Sequence, residues 1–595
     1  MKQRYTSFNQ VIKKNINKDE MQLEKLCEGI LTNSYMYNIF TEQRKIDYIT
    51  RRRLIDRANI NEEFLEEYLT KDEYHSMKKS YEIIDLMETR NYSKAEYSLE
   101  RLFEKTNEQD KCMMQFCKDI SARLKNRGSC NPKEMYKTYR EIISLTVKKE
   151  YIHDTKNACL STIEYYYLIW FNYYNVQRTE DEISYCKALN QFWNLVIDIH
   201  NKKNGSSLVR ILPMAVCKFY ESVKTKEDII LMARLWEYTE VAIKELLQAK
   251  KIYYLIELIS VRLEIAANIR RRYAEKNFEE RIRDLIIKLN RQYNIGPIDM
   301  SGYIYRSDCI NEVSDAILSR CDLMNITRKD LIDGVCSLRT LQRLMKGNVK
   351  PQKYTLECLF DKVRINGGYI RAELVIDKFG VIDILKRCQE ALNQYDNVKA
   401  REILEELKKE VDIEDINNRQ VIIRLQSAVD YRDKKISCEE YCDKLLEAIS
   451  LTIGDNIERI TDKTYLTVSE LKTLYNYAMQ TKNMQLGKIL LENCKNKITE
   501  YYMSCLIGKW YASELGNRHE FQESDQCFKK IIYDSLRMYN SWPLPECMYN
   551  LMWNEEEKKG TQGIRKYDQD KLQECIDLAV LSSNEFAKEF YLKKR

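Results

Sequence analysis

With 595 residues the chain is too long for one hydrophobic core and should divide into several domains. Charged residues make up 32% of it and no apolar run reaches the roughly 20 residues of a membrane span, which argues against a helical membrane protein; 16 Gly and 6 Pro leave few turn formers, so an all-α chain is expected. The net charge of +6 is uneven: residues 1–61 hold 12 Lys and Arg against 7 Asp and Glu, and residues 325–366 hold 9 against 4, a net of +5 in each segment. Surfaces that meet phosphate concentrate charge in this way. The opening MKQRYTSFNQ lacks the apolar stretch of a signal peptide, so a cytoplasmic location is expected.

The first predicted elements lie in residues 22–61. A helix is expected from Leu23 to Glu28, a turn from Gly29 to Leu31, and a second helix from Asn33 to Phe40 with Thr32 as its cap. The exposed face of that second helix offers Asn33, Ser34, Tyr37 and Asn38, while Arg44, Lys45 and the Arg51-Arg52-Arg53 run supply charge for phosphate. Residues 69–296 then read as successive amphipathic helices, among them NYSKAEYSLERLFE from Asn91. The aromatic run Tyr165 to Tyr174 draws on a stock of 42 tyrosines, most of which should serve packing. Asn294-Ile295-Gly296-Pro297 breaks the helical pattern and marks a join.

The second half repeats the first. From Asn325 a short helix is expected over Arg328 to Asp333, with Thr327 as N-cap and Asp330 favouring the helix dipole; Gly334 ends it in a left-handed turn. Ser337 caps the next helix, which should bury Leu341, Leu344 and Met345 and expose Arg339, Thr340, Gln342, Arg343 and Lys346 until Gly347 closes it. Two short helices at a steep angle, the second carrying long donors, suit a major groove. Phosphate contacts are expected from Lys346, Lys350 and Lys353.

A shift of 305 residues lays Phe8–Asn61 on Val313–Asn366 without a gap, pairing Gly29 with Gly334, Lys45 with Lys350, Leu54 with Leu359 and Asp56 with Asp361. It persists into the helices beyond, where Lys94-Ala95 meets Lys399-Ala400 and, after one inserted residue, Ser144-Leu145-Thr146 meets Ser450-Leu451-Thr452. After a small deletion, Asn172 meets Asn476 among aromatics. The tandem therefore reads as residues 1–68 and 297–370, each followed by a helical array over 69–296 and 371–595.

Thr327, Leu331, Gly334, Val335, Ser337, Lys346, Gly347 and Pro351 follow the order of the lambda-repressor-like, XRE-type helix-turn-helix family, with Cys336 inserted before the serine, and this resemblance implies base contacts from Ser337, Arg339, Thr340 and Arg343. The segments NYSKAEYSLERLFE, NVKAREILEELKKE and EFQESDQCFKKIIYDS resemble degenerate tetratricopeptide repeats, helix pairs that stack into an α-solenoid. The combination resembles the Rgg, PlcR and PrgX group of peptide-pheromone regulators, here as two modules in one chain. The resemblance implies a transcriptional regulator that binds double-stranded DNA and responds to a peptide or protein ligand. It also implies a pseudo-dimer, with a further homodimer as an alternative, and asparagines that clamp a peptide backbone, for which Asn172 and Asn476 are the candidates. A helical-repeat scaffold that has lost DNA binding is the competing reading.

Other chemistry is poorly represented. The 19 cysteines scatter through helical segments, where buried thiols are expected, and Cys112 with Cys117 or Cys438 with Cys442 offers at most two metal ligands among four histidines. Neither a metal nor a cofactor is expected. A glycine-rich phosphate loop, G-x-S-x-G and H-E-x-x-H are all missing from the sequence, so no catalytic residue is assigned and no enzymatic activity is expected.

Overall fold

The computed structural model describes residues 12, 23–40, 46–60, 66–107, 110–127, 130–201, 205–224, 228–306, 310–347, 352–366, 370–371, 373–376, 380–495, 501–559 and 567–595. These residues are predominantly α-helical, joined by one small three-stranded sheet. None of the described helices is long and apolar enough to cross a membrane. The chain folds into two compact units that interleave in sequence. Unit I comprises Met1–Val11, Glu62–Lys78 and Ser307–Ile531; unit II comprises Ile12–Asn61, Lys79–Arg306 and Ile532–Arg595.

In unit II the central helix is Thr162–Gln177, packed against Pro132–Ser144, Glu182–Asn201 and Gly205–Ser222. It is buried nearly all round, from Tyr165 through Asn172, as the unbroken aromatic run requires. A reciprocal capping box fixes its start: Ser161 Oγ accepts from Glu164 N at 3.3 Å, and Glu164 Oε2 accepts from Ser161 N at 2.9 Å. Ile229–Ala249, Leu255–Asn268 and Lys276–Gln292 then stack in succession.

In unit I the helices Val313–Met324, Arg328–Ile332, Leu338–Lys346 and Lys353–Lys362 share a core of Ile317, Leu331, Leu341, Leu344, Leu359 and Phe360. Helices from Gly380–Asn393 to Tyr501–Asn517 follow, successive ones mostly packing on each other. The sheet has the order β2 (Ile310–Glu312), β1 (Glu66–Leu69), β3 (Ile370–Arg371). Strand β1 pairs with β2 in parallel and with β3 antiparallel, Glu66 facing Arg371. Arg371 is the position that the 305-residue shift assigns to Glu66 itself, so this strand pair is centred on a local twofold. Tyr68 of β1 joins the core of the four helices, fully buried, with its ring centroid 4.7 Å from Phe360 and its hydroxyl 2.5 Å from that of Tyr465.

The same shift links helix boundaries across the units. Leu23–Cys27 and Tyr48–Arg57 fall on Arg328–Ile332 and Lys353–Lys362, and Tyr92–Lys105 falls on Asn397–Glu410. At Thr162 and Val468 the starts are 306 residues apart, each preceded by a capping box, Ser161 with Glu164 and Thr467 with Glu470.

Candidate nucleic-acid interface

The local signals in the second copy act as the residues dictate. Thr327 Oγ1 accepts from Asp330 N at 3.2 Å, Asp333 ends the first helix, and Gly334 turns the chain at φ +70°. Ser337 Oγ accepts from Thr340 N at 3.2 Å, and Gly347 stops the second helix at φ +82°. Leu341 and Leu344 are buried, while Ser337, Arg339, Gln342, Arg343 and Lys346 are exposed and Thr340 is half-buried. The Ser337 and Thr340 hydroxyls lie 3.0 Å apart, so they already engage each other. Arg339 and Arg343 are left as the long donors of this face. Lys350 lies outside the described residues, and so does the side chain of Lys353, although its helix is described.

Surroundings distinguish the two turns. A Cβ placed on Gly334 meets nothing within 4 Å, so that turn is open. One placed on Gly29, at φ +78°, lies 2.0 Å from Thr146 O, so that turn is pressed against the loop after Pro132–Ser144. Lys111 Nζ donates to Gly29 O at 2.6 Å, and Lys148 pairs with Glu28. The first-copy helix Asn33–Phe40 still exposes Asn33, Ser34 and Tyr37, with Asn38 half-buried; Arg44 and Lys45 lie outside the described residues.

The expectation that Arg51, Arg52 and Arg53 hold phosphate is corrected by their placement. Arg51 and Arg53 are buried, and Arg53 Nη1 donates to Gln115 Oε1 at 2.8 Å; Arg52 is half-buried and donates to the Tyr48 hydroxyl at 2.9 Å. Successive residues on a helix point about 100° apart, so a run of three arginines cannot share one face. Two of these three face unit II's interior.

Four residues further on, Arg57 is the deepest anchor of the first copy. Its Nε and Nη2 bond the two oxygens of Glu164 at 2.9 and 2.5 Å, Nη1 donates to Leu26 O and Glu28 O, and Nη2 also reaches Thr146 O. Burial alone would raise the Glu164 carboxyl, but the charges of Arg57 and then Arg53 outweigh it and hold the group at about 2. The second copy builds the corresponding anchor from another helix. Arg320, on Val313–Met324, pairs with Glu470 at 3.0 Å and donates to Thr452 O at 3.0 Å. Around both anchors the acceptors match: Gln115 donates to Thr146 Oγ1 at 2.9 Å, and Gln420 donates to Thr452 Oγ1 at 2.8 Å. The shift gives Lys362 where Arg57 stands, and Lys362 is exposed. Arg320 Nη1 is buried without a hydrogen-bond partner, so the second anchor is the less complete. Sequence reading passed over both arginines, since each partner lies more than 100 residues away.

Near the first-copy anchor, Asp47 and Asp110 cap their helices by accepting from Thr50 N and Met113 N. Burial first, and the Asp47 charge second, push the Asp110 carboxyl up to about 6. A raised carboxyl contributes stability at low pH and loses it as pH rises from about 4 through 6. Asp110→Asn keeps the cap and removes the charge. It should therefore stabilise unit II by about 1–2 kcal/mol at pH 7 and by little at pH 4, measured by thermal melts at both pH values.

Comparison with known proteins gives no family to this chain. No family model matches it, and no curated protein or solved structure does either. Its chemistry is therefore read from its own residues. The described residues hold no group of three or more His, Cys, Asp and Glu placed to bind a metal ion.

The two candidate asparagines do not hold matching positions on their helices. Shared capping boxes set the register at 306, which aligns Asn172 with Ala478 and Asn476 with Trp170. Two residues of offset turn a side chain by about 200°, so the two asparagines do not occupy matching positions. Asn172 is 1% exposed and donates to Leu168 O at 2.9 Å, and its Oδ1 is buried without a hydrogen-bond partner; Asn476 is half-buried.

Proposed function

We propose that this protein is a transcriptional regulator that binds double-stranded DNA through the helix-turn-helix formed by Arg328–Ile332 and Leu338–Lys346. The observation that carries the proposal is the open turn at Gly334 beside a helix whose apolar face is buried and whose Arg339, Arg343 and Lys346 are exposed. In this reading the arginines reach guanine edges in the major groove, and Lys346, with Lys350 and Lys353, holds phosphate. The remaining helices form degenerate tetratricopeptide-like arrays that receive a peptide or protein ligand, and the two modules act as a pseudo-dimer in the cytoplasm. The first copy takes the bracing part, because its turn is closed against Thr146 and Arg53 and Arg57 are spent inside unit II.

Genomic footprinting and mobility shifts of the intact protein test this. Arg339→Ala and Arg343→Ala should each weaken binding about 10- to 100-fold at particular bases, in line with about 1–3 kcal/mol per bidentate contact. Lys346→Ala should weaken all sites evenly and lower the salt slope by about 1. Absence of any shift at low salt would reject the DNA reading in favour of an assembly role for both copies.

A further inference from the structure

The exposed side of Leu338–Lys346 carries more than its arginines. Steps of about 100° per residue set its exposed residues on an arc of about 140°, in the order Leu338, Gln342, Lys346, Arg339 and Arg343. Leu338 and Gln342, one turn apart, form one edge of that arc; Arg339 and Arg343, also one turn apart, form the other. One edge is therefore aliphatic and amide, the other cationic.

Leu338 is 48% exposed, although it stands one turn before the buried Leu341. The fold does not require a leucine there, because the 305-residue shift sets Asn33 in its place on the matching helix Asn33–Phe40, and Asn33 is exposed as well. As the first residue after the Ser337 cap, Leu338 sits at the end of the helix that meets base edges when such a helix enters a major groove. The hydroxyls of Ser337 and Thr340 engage each other at 3.0 Å. Gln342, exposed and one turn on, offers a donor and an acceptor together.

We propose that this edge reads A·T pairs: Leu338 packs on the 5-methyl group of a thymine, and Gln342 accepts from N6–H and donates to N7 of an adenine. Four residues advance a helix by about 6 Å, the span of about two base pairs, so the two contacts fall on neighbouring steps. The thymine methyl is the apolar group that the four bases present in the major groove, and it is what a leucine at the helix tip can favour. With guanine under the arginine edge, the recognised site is mixed in composition rather than G-rich. This readout rests on the DNA reading and adds to it the base that each of two further residues selects.

Duplexes selected by the full chain from a randomised double-stranded library supply the probes. Mobility shifts at fixed salt then compare each duplex with forms carrying deoxyuridine for thymine or 7-deazaadenine for adenine. Deoxyuridine lacks only the methyl group, and at one thymine of the site it should weaken binding about fourfold, the scale of burying one such group. Leu338→Ala should erase that difference with little change in the melt, since the side chain is half out in solvent; Leu338→Met, still long and apolar, should keep most of it. At a neighbouring adenine 7-deazaadenine should weaken binding about 2- to 10-fold, the scale of one hydrogen bond, and Gln342→Ala should erase that effect. Thymines that all tolerate deoxyuridine, or a deoxyuridine penalty that persists in Leu338→Ala, would overturn the readout while the selected duplexes still upheld DNA binding. Failure to select any duplex would instead reject the DNA reading itself.

Discussion

Arg57→Ala should lower the stability of unit II by about 3–5 kcal/mol, because it leaves Glu164 charged, fully buried and deprived of its bidentate partner. In a unit of this size that is a fall in melting temperature on the order of 10 °C, read by calorimetry. Replacing both partners, Arg57→Met with Glu164→Gln, should recover much of the loss: the glutamine still accepts from Ser161 N, and no charge remains buried. The pH dependence fixes the sign. Glu164 is held at about 2, below its usual 4.5, so its contribution is fully present above pH 4.5 and is lost as pH falls from 4.5 to 2. The advantage of the wild type over the double variant should shrink across that window. Equal stability of Arg57→Ala and wild type at pH 7 would remove the anchor from the account. Arg320→Ala should destabilise unit I for the same reason, since it strands Glu470.

Tyr68→Ala should cost unit I about 3–5 kcal/mol, although Tyr68 belongs by sequence to the first copy. Its ring fills the core of the four helices around Phe360, and its hydroxyl bonds Tyr465, which in turn donates to Glu66 Oε1 at 2.5 Å. Tyr68→Phe keeps the ring and should cost about 1 kcal/mol, the net worth of one hydrogen bond. Hydrogen exchange over residues 313–363 separates the outcomes. Protection should fall there in Tyr68→Ala, and DNA binding should fall with it; loss confined to unit II would show that Tyr68 does not support the unit I core. Glu373, the matching position of the second copy, has no such part among the described residues. The shift places Glu373 where Tyr68 stands, and Glu373 instead bonds Arg424 at 2.7 Å and Lys472 at 2.6 Å.

The all-α character and the helix boundaries around Gly29 and Gly334 were legible because their signals are local. A cap joins residues three apart, and a left-handed turn needs glycine at one position. Thr32, Thr327 and Ser337 accept from the backbone N–H three residues on, as such signals require. The exposed face of Leu338–Lys346 was equally legible, since helical period assigns Leu341 and Leu344 to one side and Arg339 and Arg343 to another. The same logic misjudged Arg51 and Arg53. Period tells which residues share a face, but which face is covered depends on helices far along the chain.

The sequence by itself determined the paired helices around Gly29 and Gly334, because their caps, glycines and apolar stripes act within a few residues, but not the strands Glu66–Leu69, Ile310–Glu312 and Ile370–Arg371, whose partners lie far along the chain. The inequality of the copies was decided only in three dimensions. Gly29 and Gly334 turn the chain alike, yet one turn lies on Thr146 and the other is open. Burying an arginine demands acceptors for its N–H groups and is least costly beside a carboxylate. Arg57 and Arg320 each find theirs more than 100 residues away, from different helices of the repeated segment. No periodicity records such a partnership, since it depends on how the helices dock.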